Sequence, residues 1–194
     1  GWSCRGAARA ARVSAMEIAV NLTPTGMIPT RAMSPHVPLS VEEIVADVRH
    51  AAALGITSVH LHARSPATGD PAYDADTYAR IIAGIREEAE DLVITVSTSG
   101  RVFSDYDQRS ACLRLPDALK PDMASLTLSS VNFNKQASVN PPDVIRRLAE
   151  EMEARGIVPE LEAFDAGMIN YAKYLASHGI LRPPHCFNLI LGNI

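Results

Sequence analysis

Ser58-Val59-His60-Leu61-His62-Ala63-Arg64 reads as a β-strand that carries two histidines. The run is apolar and suited to extended backbone. Side chains along a strand alternate between faces, so both imidazoles point the same way. Two neutral imidazoles on one face, about one strand repeat apart, are placed to share a single Zn²⁺ or similar ion. Spacing alone leaves a second reading open, in which the histidines are held in a polar core or at a loop edge.

Outward from this stretch the chain alternates apolar, β-type runs with segments of helical period. Six runs predict strands at 18–23, 56–62, 92–97, 123–128, 158–164 and 185–191. Their starts lie about 27 to 38 residues apart, close to one βαβ unit. Ser40-Val41-Glu42-Glu43 is a capping box, followed by Ile44, Val45, Val48, Ala51 and Ala52 at helical spacing, with Gly55 as a stop. Asp76 opens a second helix with Tyr78, Ile81, Ile82 and Ile85 on one face. Asn140 and Pro141 read as N-cap and first-turn proline of a third, carrying Ile145, Leu148, Ala149 and Met152 and closed by Gly156.

Such alternation means a parallel sheet covered by helices, either an open doubly wound sheet or a closed eight-stranded barrel. The turn after the first strand, Thr23-Pro24-Thr25-Gly26-Met27, lacks the G-x-G-x-x-G of a dinucleotide fold. Polar residues gather instead at the C-terminal ends of successive strands: Thr23 and Thr25, His60 and His62, Ser97 to Ser99, Ser125 and Thr127, Glu160 and Glu162. In a (β/α)₈ TIM barrel those ends converge on one mouth, where active sites are built. The expectation is therefore a TIM barrel of which about six of the eight strand–helix units are present, since a closed barrel takes about 250 residues. Residues 1–15, with Arg5, Arg9 and Arg12 and no acidic residue, read as a leader or disordered segment ahead of Met16. Residues 16–194 then form the incomplete catalytic domain.

Composition excludes some functions and leaves others open. The chain has 194 residues, 47% of them hydrophobic, and a formal net charge of −4. These values suit a globular domain and give no electrostatic reason to expect nucleic acid. No apolar stretch is long enough to span a membrane. Cys4, Cys112 and Cys186 are odd in number and widely spaced, which fits reduced thiols in a cytoplasmic protein. His36 and His185 flank prolines and read as structural, and Arg64 as a brace for a loop carboxylate.

The motifs, taken in order, resemble those of the β-keto acid cleavage enzymes, the family typified by 3-keto-5-aminohexanoate cleavage enzyme. They include Thr25-Gly26 with Pro29-Thr30-Arg31, Pro35-His36-Val37-Pro38-Leu39 and Val59-His60-Leu61-His62-Ala63-Arg64. Ser97-Thr98-Ser99-Gly100, Lys120-Pro121-Asp122-Met123-Ala124-Ser125, Val131-Asn132-Phe133 and Pro159-Glu160-Leu161-Glu162 continue the series. Asp165-Ala166-Gly167-Met168 and Asn188-Leu189-Ile190-Leu191-Gly192 end it. The resemblance implies a zinc-dependent barrel that exchanges acyl groups between a β-keto acid and acetyl-CoA, giving acetoacetate and a new acyl-CoA. It implies His60 and His62 as zinc ligands, and Ser97, Gly100 and Ser125 as substrate-binding positions. Glu162 is the candidate for a supporting role beside the metal, and Glu160 a weaker one. The chain is expected to be a homo-oligomer.

Three departures qualify the resemblance. It places the family's third zinc ligand, a glutamate, and its catalytic Arg–Asp pair beyond Ile194, so the catalytic residues proper are expected outside this chain. Ile28 stands where the typical enzyme has a glutamate that reads a substrate amino group, which implies a neutral or apolar substrate tail. The first-strand loop carries an extra Thr23-Pro24. Two other functions remain open: a metal-dependent barrel lyase or aldolase using the same His-x-His, and a non-catalytic remnant that binds metal weakly.

Overall fold

The computed structural model of the chain describes residues 18–192. The expected leader at 1–15, with Cys4, lies outside the described residues. Six parallel strands form one sheet: β1 (Asn21–Leu22), β2 (Ser58–Leu61), β3 (Val93–Val96), β4 (Met123–Thr127), β7 (Val158–Ala163) and β8 (Cys186–Leu189). They lie in chain order, each hydrogen-bonded to the next. The connections carry the helices α1 (Val41–Ala53), α2 (Ala75–Arg86), α3 (Tyr106–Ser110), α4 (Pro142–Arg155) and α5 (Ala166–Ser177). Between β4 and α4 a small antiparallel hairpin, β5 (Val131–Asn132) with β6 (Ala137–Ser138), projects from the strand ends.

The two faces of the sheet are chemically different, as period-two alternation requires. Val59, Leu61, Ile94, Val96, Ala124, Leu126, Leu161 and Ala163 are buried in a core shared with Ile44, Val48, Ile81, Ile82, Ile85, Ile145, Leu148 and Met152 of the helices. The intervening positions, His60, Thr95, Ser125, Thr127 and Glu160, are buried but polar and occupy the opposite face. That face is strongly concave. His60 on β2 and Glu160 on β7 are three strands apart in the sheet order, which in a flat sheet is roughly 14 Å. Their side chains are nevertheless 2.7 Å apart. The sheet curls as part of a barrel, with its polar face inside.

Sequence-encoded caps set the helix boundaries. Ser40 and Glu43 form the expected capping box on α1. The cap of the second helix lies two residues earlier than expected, because Asp74, not Asp76, accepts from Thr77 N at 2.8 Å. On α4 the N-cap is Pro141 and the first-turn proline is Pro142, so Asn140 is not the cap. Its side chain is buried and spent on Ser129, Ser138 and Arg109 instead. Gly156 ends α4 in the left-handed conformation (φ 67°), which glycine adopts without steric penalty. Phe187 and Leu189 of β8, and Leu191 just after it, are exposed apolar side chains. Among the described residues no helix is long and apolar enough to cross a membrane, and Cys112 and Cys186 are free thiols.

Candidate active site

The concave face opens into a cavity of about 290 Å³ at the C-terminal ends of the strands. β2 brings His60 and His62 to its wall, the turn after β3 brings Ser97, Ser99 and Arg101, and β4 brings Thr127. β7 contributes Glu162, and Asn188 comes from β8. Met27 of the first-strand loop, Val131 and Phe133 of the hairpin, Phe164 and Ile190 form the apolar part of the lining.

The imidazoles of His60 and His62 stack with centroids 4.9 Å apart, as same-face neighbours on a strand must. His60 Nδ1 lies 2.7 Å from Glu160 Oε2. Asn188 Nδ2 donates to Glu160 Oε1 at 3.0 Å, so the carboxylate is held from its other side. With Nδ1 engaged, Nε2 is the His60 nitrogen left for a ligand. Burial pulls the His60 pKa down, but the Glu160 carboxylate, with Glu162 behind it, outweighs this and holds the imidazole above its usual value. His62 has no carboxylate partner. Burial, reinforced by the charge of His60 and by Arg64, lowers it to about 3, and its Nδ1 is buried with no hydrogen-bond partner.

Glu162 accepts a hydrogen bond from Thr127 Oγ1 at 2.6 Å. Burial raises its pKa despite the opposing pull of His60 and Thr127. His60, Glu160 and Glu162 offer ligand atoms that all lie within 4.8 Å of one another, and form the one such set of three among the described residues. Glu160, the weaker candidate from sequence, is therefore the carboxylate in direct contact with His60. The signal for it was the period-two Glu160/Glu162 pair itself, which mirrors His60/His62.

Ser97 reaches the cavity wall, but Gly100 and Ser125 do not line it. Ser125 is buried, and its Oγ accepts from Thr98 N at 3.0 Å. Gly100 packs under the hairpin, where a Cβ would come within 2.9 Å of Arg109 Nη1 and closer still to Val139 and Asn140. Ile28 is absent from the lining, where its neighbour Met27 stands. Arg64 braces the first-strand loop as expected, although its acceptors are the carbonyls of Gly26, Pro29 and Gly69 rather than a carboxylate. His36 and His185 are exposed and away from the cavity. Arg101 and Phe133 were not singled out from sequence as site residues.

Residues 17–194 match the beta-keto acid cleavage enzyme family. A 3-oxoadipate:acetyl-CoA acetyltransferase from Cupriavidus necator is 39% identical over 160 residues, which cover 82% of this chain and 54% of that protein. A 3-keto-5-aminohexanoate cleavage enzyme from Fusobacterium nucleatum is 34% identical over 165 residues, covering 84% of this chain and 58% of that protein. A solved ternary complex of ObcA with a C4-CoA adduct and oxalate has a TM-score of 0.73 at 24% identity, over 81% of this chain and 38% of that one, a likeness of fold. The chain belongs to the beta-keto acid cleavage enzyme family, and it spans little more than half the length of the two relatives described.

Proposed function

We propose that this chain supplies the metal-binding and substrate-binding wall of an enzyme that transfers the acyl group of a β-keto acid to the CoA of acetyl-CoA. The observation that carries the reading is the His60/His62 pair side by side on the cavity wall, with His60 anchored by Glu160. The named activities of the relatives, acetyl-CoA-dependent transfer from 3-oxoadipate and cleavage of 3-keto-5-aminohexanoate, support the same chemistry. His60 through Nε2 and His62 through its unpartnered Nδ1 are suited to hold a zinc ion. Bound there, zinc would act as a Lewis acid toward the keto oxygen, which gathers negative charge when C2 is deprotonated or when the keto carbon is attacked.

The remaining residues bind and orient. Ser97 Oγ accepts from Ser99 N at 3.3 Å, and Ser99 Oγ accepts from Arg101 N at 3.2 Å. A hydroxyl that is already an acceptor still has its own proton to give, so both serines are free to donate to a substrate carboxylate. Ser125 supports this wall from below through Thr98, and Gly100 permits the close approach of the hairpin. Glu162, fixed by Thr127, orients the metal-facing side of the cavity.

The test uses the full-length protein. His60→Ala and His62→Ala should each lower bound zinc, measured by elemental analysis, to less than about a fifth of the parent's content. Formation of acetoacetate from a β-keto acid and acetyl-CoA should be lost with it. Unchanged zinc in both variants would reject the assignment, and turnover without any thioester would favour the lyase reading.

A further inference from the structure

The serine wall of the cavity continues into a cation. Residues 97, 99 and 101 alternate along the chain and all line the cavity, where Arg101 is the one arginine or lysine. Its guanidinium lies over Phe133, with Cζ 3.8 Å from the ring centroid. Phe133 is in turn braced edge-on by Phe164 at 5.8 Å. The hairpin fixes the arrangement, since Phe133 N donates to Gln136 O at 2.9 Å and Gln136 Nε2 donates to the Arg101 carbonyl at 3.3 Å.

Arg101 is half-buried and differs from the two buried arginines, Arg64 and Arg109. Arg64 shares an unpartnered Nε with Arg101 but donates from its terminal nitrogens to backbone carbonyls, and Arg109 donates to two carbonyls and to Asn140 Oδ1. Arg101 Nε is buried without a hydrogen-bond partner, and among the described residues Arg101 enters no ion pair. A partly desolvated cation held flat on an aromatic ring, with its polar edge unsatisfied, is costly until an anion meets it.

We propose that Arg101 recognises a carboxylate at the far end of the substrate, so that the enzyme's substrates are β-keto dicarboxylic acids. This rests on the β-keto acid reading above. Ser97 N donates to Leu61 O at 3.2 Å, which puts Ser97 level with the histidine pair. Arg101 follows four residues later, past the end of β3. A β-keto acid whose reacting end meets His60, His62 and Ser97 projects its tail past Ser99 toward the guanidinium. The neutral tail expected from Ile28 gives way to an anionic one, because Arg101 lines the cavity and Ile28 does not.

The experiment compares kcat/KM for a six-carbon β-keto diacid with that for 3-oxohexanoate, its monoacid counterpart. The parent, Arg101→Gln and Arg101→Lys forms of the full-length protein are used, with adipate and hexanoate binding followed by calorimetry. The parent should favour the diacid by roughly 10- to 100-fold, the worth of one charge-assisted pair. R101Q should bring the ratio near one, and R101K should keep part of it, since lysine retains the charge without the planar fork. No diacid preference in the parent would overturn the proposal. Equal losses on both acids in R101Q would also do so, showing that Arg101 reads the carboxylate they share. A raised KM for acetyl-CoA with an unmoved acid ratio would assign Arg101 to a CoA phosphate instead. If the parent transfers neither acyl group, the functional reading fails. Calorimetry still decides the role of Arg101, because adipate must bind the parent more tightly than hexanoate and lose that advantage in R101Q.

Discussion

The His60 ring is engaged at Nδ1 by Glu160, and that one contact determines which nitrogen is left to bind. A carboxylate in this position fixes ring orientation and raises the basicity of a ligating imidazole. Glu160→Ala should therefore weaken zinc binding by about 10- to 100-fold, with Glu160→Gln losing less because its amide oxygen still accepts from Nδ1–H. Competition with a chelator measures this, and equal zinc affinity in parent and both variants would show that Glu160 does not position His60. The two histidines were legible because their relation is local, a matter of strand period alone. Glu160 was legible as a same-face neighbour of Glu162, but its pairing with His60 was not, since β7 reaches β2 only through the curl of the sheet and no pattern in one strand encodes that. Ser125 and Gly100 show the same limit. Both stand at the right strand ends, but whether a residue faces the cavity or the packing beneath it depends on the neighbouring hairpin.

Among the elements, the junction of α3 with α4 carries the most concentrated charge. Glu151 on α4 accepts from Tyr106 Oη at 2.6 Å, Arg114 Nε at 2.9 Å and Arg155 Nε at 3.1 Å. Burial alone would raise its pKa, but these donors outweigh burial and lower it to about 2. A carboxyl with a depressed folded-state pKa stabilises the protein above its unfolded value near 4.5, and that stability is lost as pH falls toward 2. Glu151→Gln should cost about 1 to 2 kcal/mol at pH 7, allowing for solvent screening. The difference in thermal midpoint should shrink between pH 4.5 and 2. A gap that persists at pH 2 would mean that packing, not charge, is the source. Strands and three of the long helices were legible here from periodicity and caps, whereas α5 (Ala166–Ser177), capped by Asp165, was not read. The short elements were not: α3 has five residues and β5 and β6 two each, too few for a period to emerge. Asp105, which caps α3 by accepting from Gln108 N at 3.0 Å, was the available sign of that helix.

At the scale of the whole molecule, the alternation of polar and apolar residues along six strands decides both fold and site. Its apolar half packs against the helices, and its polar half, folded inward by the curl, becomes the cavity wall. Strand order and parallel direction followed from the spacing of the runs, because consecutive βαβ units pair as neighbours. In the function proposed above this wall serves acyl exchange: R–CO–CH₂–COO⁻ and acetyl-CoA become acetoacetate and R–CO–S–CoA. The C2–C3 bond of the keto acid breaks, its C1–C2 fragment bonds to the acetyl carbonyl carbon, and the displaced acyl group ends on the CoA sulfur. Turnover of the full-length, zinc-loaded protein with acetyl-CoA labelled in both acetyl carbons tests this most directly, read by mass spectrometry and carbon NMR. The account predicts acetoacetate labelled at C3 and C4 only, together with an unlabelled acyl-CoA derived from the keto acid. Unlabelled acetoacetate, or label retained in the acyl-CoA product, would contradict it.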